Sequence, residues 1–217
     1  MKGLNRIELL PAREQVASAL RKAILTRELN EGDAITLEGI ASQLGLSSTP
    51  VREAFQILSH DGLIKLRPNK GAIILGVNKK TIHDHYETRA ILESEAAAMA
   101  CRSGKDLSHI IDSFQEAEEA LTKNNFNDYS DYNQAFHMAI WTASGNEKIK
   151  SLLSSLWNGL SIGHNVSKET YAHVSINEHR EILKALTSHD EEQAKKLMQA
   201  HIIRSMKNVL THFEIDT

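Results

Sequence analysis

Three of the eleven histidines in this chain sit where an imidazole needs a partner. His137 lies one turn after Asn133 and one turn before Trp141, all on one helical face. His179 precedes Ile182, Leu183 and Leu186 on an inward side, and His201 follows Leu197 and Met198 and precedes Ser205. Three separate helical segments therefore each direct an imidazole inward. Burying three such groups without hydrogen bonds or a shared ligand is unfavourable. A divalent metal would satisfy all three, because neutral imidazole is a ligand for zinc, nickel, copper and iron, with zinc or nickel expected first. A polar cavity bridged by water is the competing reading. The remaining histidines have polar neighbours, or, like His83 and His85, a spacing that cannot share a helical face, and no role is expected for them.

Arg89 is the second candidate. With a cation nearby it could clamp an effector carboxylate. Equally, it could pair with Glu93 four residues on, which on an open helix surface contributes a few tenths of a kcal/mol. The stripe Trp141, Leu152, Leu153, Leu156, Trp157 and Leu160 reads as core or dimer interface before ligand box. No carboxylate is expected beside the histidines as a general base, since Glu178 adjoins His179 but should point off its face.

The elements that position these residues follow from pattern. A helix is expected over 11–29, with Pro11 in its first turn. Thr36 caps a short helix ending at Gly45, and Ser47 or Ser48 opens another that runs to about His60. Leu63–Leu66 and Ala72–Leu75, separated by Arg67–Gly71, predict a β-hairpin. After Asn78 the pattern turns wholly helical, in blocks over 79–102, 106–123, 126–144, 146–169, 174–188 and 190–213. The expected fold is mainly α. It has a winged helix-turn-helix with a small hairpin wing over residues 1–77 and an all-α bundle over 78–217. Ser47, Ser48, Thr49 and Arg52 at the start of the third helix suit the major groove, and Arg67, Lys70 and Gly71 at the hairpin tip suit phosphates or a minor groove.

Charge is compatible with this division. The whole chain carries −3. Residues 1–77 hold 10 Lys and Arg against 8 Asp and Glu, a net of +2, and residues 78–217 hold 15 against 20, a net of −5. A nucleoid-coating protein, which needs a strongly basic chain, is thereby disfavoured. Lone Cys101 can form no internal disulfide, as expected of a cytoplasmic protein. No apolar run suggests a signal peptide or membrane span, so no membrane partner is expected.

The segment Leu44-Gly45-Leu46-Ser47-Ser48-Thr49-Pro50-Val51-Arg52-Glu53-Ala54, with Leu58, Asp61-Gly62-Leu63-Ile64 and Asn69-Lys70-Gly71-Ala72, resembles the GntR family of transcription regulators. The later part is similar to its FCD ligand-binding domain. There the likeness rests on Arg89, Leu92-Glu93, Phe136-His137, Ala143-Ser144-Gly145-Asn146, Glu178-His179, Ile182, Ala185, Leu186 and His201-Ile202, and about six helices point to the smaller VanR-like branch. The resemblance implies a repressor that binds double-stranded operator DNA as a homodimer on an inverted repeat, under control of a small organic acid. It also implies metal ligands at Asn133, His137, His179 and His201, with Asn133 in place of an Asp. The family commonly has Arg where Ser48 stands, and the FadR branch has Arg where Glu38 stands, so a FadR-type operator is not expected. The rival reading is a metal-dependent hydrolase fused to a DNA-binding head, since three histidines with an open position can activate water.

Overall fold

The structure, a computed structural model, describes residues 10–76, 78–157 and 168–215. α1 (Ala12–Leu25) stops four residues short of the expected end. Arg27 adopts φ 57° and the Leu29 N–H donates to the Ala23 carbonyl at 3.0 Å, so a left-handed residue closes the helix without a glycine. β1 (Ala34–Ile35) was not anticipated, because two residues carry no alternation to read. Thr36 caps α2 (Leu37–Leu44), its hydroxyl accepting from the Gly39 N–H at 3.0 Å, and Gly45 ends it at φ 66°. α3 (Ser48–His60) follows at once, then β2 (Ile64–Arg67) and β3 (Gly71–Ile74).

The sheet is antiparallel, in the order β1-β3-β2, with Ile64 opposite Ile74, Arg67 opposite Gly71, and Ala34 opposite Ile73. The wing turns at Pro68-Asn69, where the Lys70 N–H donates to the Arg67 carbonyl at 3.1 Å and Asn69 takes φ 57°. Positive φ at the second central residue after a proline is the type II arrangement. Gly71 has φ 83°, and a Cβ there would meet the Ile35 carbonyl oxygen at 2.0 Å. Its lack of a side chain is thus required by the approach of β1, whatever it does at DNA. Val16, Ala17, Leu20 and Ile24 of α1 pack on Val51, Ala54, Phe55 and Leu58 of α3 and on Ile64 and Ile74 to make the core of this head.

Six helices follow among the described residues: α4 (Lys79–Arg102), α5 (Ser108–Thr122), α6 (Phe126–Ala143), α7 (Glu147–Leu156), α8 (Lys168–Thr187) and α9 (Glu191–Ile215). The block expected over 146–169 is replaced by α7, which ends at Leu156. Residues 158–167, including Leu160 and His164, lie outside the described residues. α8 begins six residues before the expected start at 174. α4 packs chiefly on α9 and α5 on α6. Tyr86, Phe114, Phe136, Ile140, Ile182 and Met198 lie in the main core, while Trp141, Leu153 and Trp157 form a second cluster with Leu10, Ala96 and Met138. Among the described residues no helix is long and apolar enough to cross a membrane.

Candidate metal centre and nucleic-acid interface

α6, α8 and α9 bring His137, His179 and His201 together in the interior of the helical domain. All three are buried, and one ligand nitrogen from each lies within 4.8 Å of the others. His179 Nε2 and His201 Nε2 are 3.3 Å apart. Two nitrogens bound tetrahedrally at zinc distances of about 2.0–2.1 Å would stand about 3.3–3.4 Å apart, so this pair already has the spacing of one edge of such a site. Stacking of the Phe136 ring on His179, with centroids 4.4 Å apart, holds the His179 imidazole in place.

Two carboxylates fix the tautomers. His137 Nδ1 is 2.6 Å from Glu93 Oε2, and His201 Nδ1 is 2.6 Å from Glu178 Oε2. An ionised carboxylate only accepts, so each Nδ1 carries a proton, which in a neutral ring leaves Nε2 as the lone-pair nitrogen. Carboxylate partners of this kind orient metal-ligating histidines and raise their basicity. Burial drives the His179 imidazole well below its ordinary 6.5, reinforced by its two histidine neighbours. Burial likewise lowers His201, against the opposing hydrogen bond from Glu178, to about 4. Both are neutral at pH 7, the form that coordinates metal. The donor set fits a borderline divalent cation. Asn133 is buried one turn before His137 on α6, where its amide could add an oxygen ligand.

Glu93 and Glu178 are each held in turn. Arg89 directs Nε and Nη2 onto Glu93 Oε1 at 3.0 and 2.6 Å. Burial alone would raise the Glu93 carboxyl, but Arg89 and His137 outweigh it and hold it at about 2. Of the two readings of Arg89, the ion pair with Glu93 is the one present, and it is buried rather than on an open surface. Arg204 grips Glu178 through Nε at 3.0 Å to Oε1 and also through Nη2. The sequence offered no carboxylate beside the histidines as a general base, and the two found there are instead partners of their Nδ1 atoms. Glu178 points off the His179 face, as anticipated, but reaches across to α9.

On the head, Ser47 occupies the N-cap of α3 without a side-chain capping bond, so the first N–H groups of the helix take no partner from it. Thr49 and Arg52 are exposed, and Gln56, exposed one turn further on, shares their face. Ser48 and Arg67 are partly exposed, and Lys70 is exposed at the wing tip. An exposed helix start and a basic β-turn on one small domain suit the major groove and the adjacent backbone.

Residues 84–204 match the FCD domain family, and residues 12–74 match the gntR family of bacterial regulatory proteins. The chain belongs to the GntR family of regulators that carry an FCD domain. This GntR-type regulator is 26% identical to the uncharacterized HTH-type transcriptional regulator YdhC of Bacillus subtilis over 192 residues, covering 86% of each chain. It is 24% identical to the HTH-type transcriptional regulator McbR of Escherichia coli, over 93% of this chain and 96% of that one. The solved structure of E. coli McbR superposes with a TM-score of 0.72 at 21% identity, covering 94% of this chain and all of the other. A solved structure described as a metal-free FCD domain covers 64% of this chain with a TM-score of 0.54 at 22% identity. These relatives are transcription regulators rather than enzymes, which removes the hydrolase reading.

For the GntR-type regulator the helical spacing placed Asn133, His137, His179 and His201 in the interior, and three of them converge in space. Sequence reasoning missed the roles of Glu93 and Glu178 toward the histidines. It also missed His85, which lines a cavity of about 310 Å³ between head and FCD domain and is lowered well below 6.5 by burial and by Arg89 and Arg21.

Proposed function

We propose that this regulator is a cytoplasmic repressor that binds an inverted-repeat operator as a homodimer, and that a small organic acid acting at a metal in the FCD domain weakens that binding. The observation that carries the reading is the convergence of three buried imidazoles, two of them aligned by carboxylates. His137, His179 and His201 would hold the cation, with Asn133 as a fourth, uncharged ligand. A bound divalent cation supplies a positive contact for an effector carboxylate. Glu93 keeps His137 in the right tautomer, and Arg89 keeps Glu93 ionised. Direct contact of Arg89 with the effector would require the Arg89–Glu93 fork to open. Zinc and nickel suit a donor set dominated by three imidazoles.

Metal content after tag-free purification, followed by titration with zinc and nickel, tests the site. The expected result is about one metal per chain, removed by chelator with a fall in melting temperature, since a ligand at about 100 times its Kd adds roughly 2.7 kcal/mol. His179→Ala should abolish both the metal and the chelator-sensitive shift. Absence of metal, with no melting shift under either ion, would favour a water-filled polar cavity. At the DNA, Arg52→Ala is expected to weaken the operator complex by about 1–3 kcal/mol, the range for one good base contact, as read by mobility shift at fixed salt. Affinity within about twofold of the parent would remove Arg52 from the base-reading set.

A further inference from the structure

The histidine cluster is joined by an unbroken set of contacts to α3, the helix whose exposed start suits the major groove. The Trp157 ring lies 5.3 Å from the His137 ring and 5.0 Å from the Arg89 guanidinium carbon, and the side chain is buried. The Trp157 backbone carbonyl, at the C-cap of α7, accepts from Arg21 Nη1 at 2.8 Å. Arg21 Nη2 donates to the Ser155 carbonyl at 2.9 Å and to Asp61 Oδ2 at 2.6 Å. Asp61 is the C-cap residue of α3. One guanidinium, carried on α1 of the head, thus holds the carbonyl end of an FCD helix on one side and the end of α3 on the other.

The chemistry of Arg21 argues that this contact serves more than stability. The side chain is 2% exposed and its Nε has no hydrogen-bond partner among the described residues. Complete pairing is what makes a buried charge tolerable, and partial pairing leaves a desolvation penalty uncompensated. The carbonyl groups at a helix C-terminus carry partial negative charge, so the guanidinium follows the position of the last turn of α7. The cavity of about 310 Å³ beside it, lined by Arg21, Asp61, Leu63, Thr81, His85 and Leu156 among others, gives the head room to move against the FCD domain.

We propose that Trp157, Arg21 and Asp61 form the line through which occupancy of the His137–His179–His201 site is read at α3. Reorientation of the His137 imidazole displaces the Trp157 ring packed against it. The Trp157 carbonyl moves with the ring, Arg21 follows the carbonyl, and Asp61 transmits the shift to the C-terminal end of α3. This inference rests on the histidine cluster being a ligand site. It assigns Arg21 and Asp61 as positioning residues that contact neither metal nor effector.

The test uses the full chain, zinc alone as the probe, and two variants, Arg21→Gln and the milder Asp61→Asn. Zinc affinity by calorimetry and operator affinity with and without zinc are measured for each. In the parent, zinc is expected to change operator affinity by about fivefold or more, the lower end of ordinary coupling between sites. In both variants zinc affinity should stay within about twofold of the parent, while the ratio of operator affinities collapses toward one. A merely structural role would lower the melting temperature and leave that ratio intact. If the variants bind zinc and keep the parental ratio, or if the parent binds zinc without any change in operator affinity, the inference is overturned and the metal reading survives. If the parent binds no zinc, both are overturned.

Discussion

Replacing Glu93 by glutamine is expected to destabilise the regulator by about 3–5 kcal/mol, the range for removing one partner of a buried ion pair. Glu93 is fully buried and Arg89 nearly so, and the fork between them supplies a countercharge to each in the interior. Glutamine leaves the Arg89 guanidinium without that countercharge and offers His137 a weaker acceptor. Replacing both members, as Arg89→Met with Glu93→Leu, should recover most of the stability, because an apolar pair of similar volume is often neutral. It should not recover metal affinity. His137 would lack the acceptor that fixes its tautomer, and loss of such partners typically reduces metal affinity 10–100-fold. Urea midpoints and zinc titrations of the single and double variants separate the two effects. A Glu93→Gln protein within about 1 kcal/mol of the parent would mean that the pair carries no more than a surface pair does.

The same pair marks how far the sequence could be read. Spacing of four between Arg89 and Glu93 is visible in the chain, and so is the inward placement of His137, His179 and His201. What spacing cannot supply is which buried faces meet. His179 and His201 lie on adjacent helices, but the 2.6 Å contact between His137 and Glu93 joins helices α6 and α4, far apart in sequence. A carboxylate on an alanine-rich helix face reads as solvated until its partner across the bundle is known. Glu178 was legible as pointing away from His179, and only the position of α9 shows that away from His179 is toward His201 and Arg204. The head was more legible because its signals are local. Thr36, Gly45 and Pro68-Asn69 each act within a few residues of themselves, whereas β1 has two residues and is defined wholly by its pairing with β3. His85 looked bland because its nearness to Arg21 of the head leaves no local trace in the sequence.

Acidification of the chelator-treated protein is expected to remove about 3 kcal/mol of stability through His201 alone. Its imidazole falls from the ordinary 6.5 to about 4 in the folded state, chiefly through burial, and each unit corresponds to about 1.36 kcal/mol. Because the folded value is depressed, the unfolded chain binds a proton that the folded chain refuses. Stability is therefore complete above about pH 6.5 and is lost progressively as the pH falls to about 4, below which His201 adds no further loss. His179, lowered by burial and by its histidine neighbours, acts in the same direction. The carboxylates do not confuse this window. Glu93 is depressed from 4.5 to about 2, so its contribution disappears only as the pH falls below 4.5. Urea midpoints measured from pH 7.5 to 4.5 should hold level down to about pH 6.5 and decline below it, and a His201→Gln variant should show a shallower decline. With zinc present the decline should steepen, since protonated imidazole cannot coordinate and release of metal near 100 times its Kd adds roughly 2.7 kcal/mol to the loss. A midpoint that stays flat between pH 7 and 4.5 would show that these imidazoles protonate freely in the folded protein, which would sink the view of them as a dry, neutral cluster held ready for a cation.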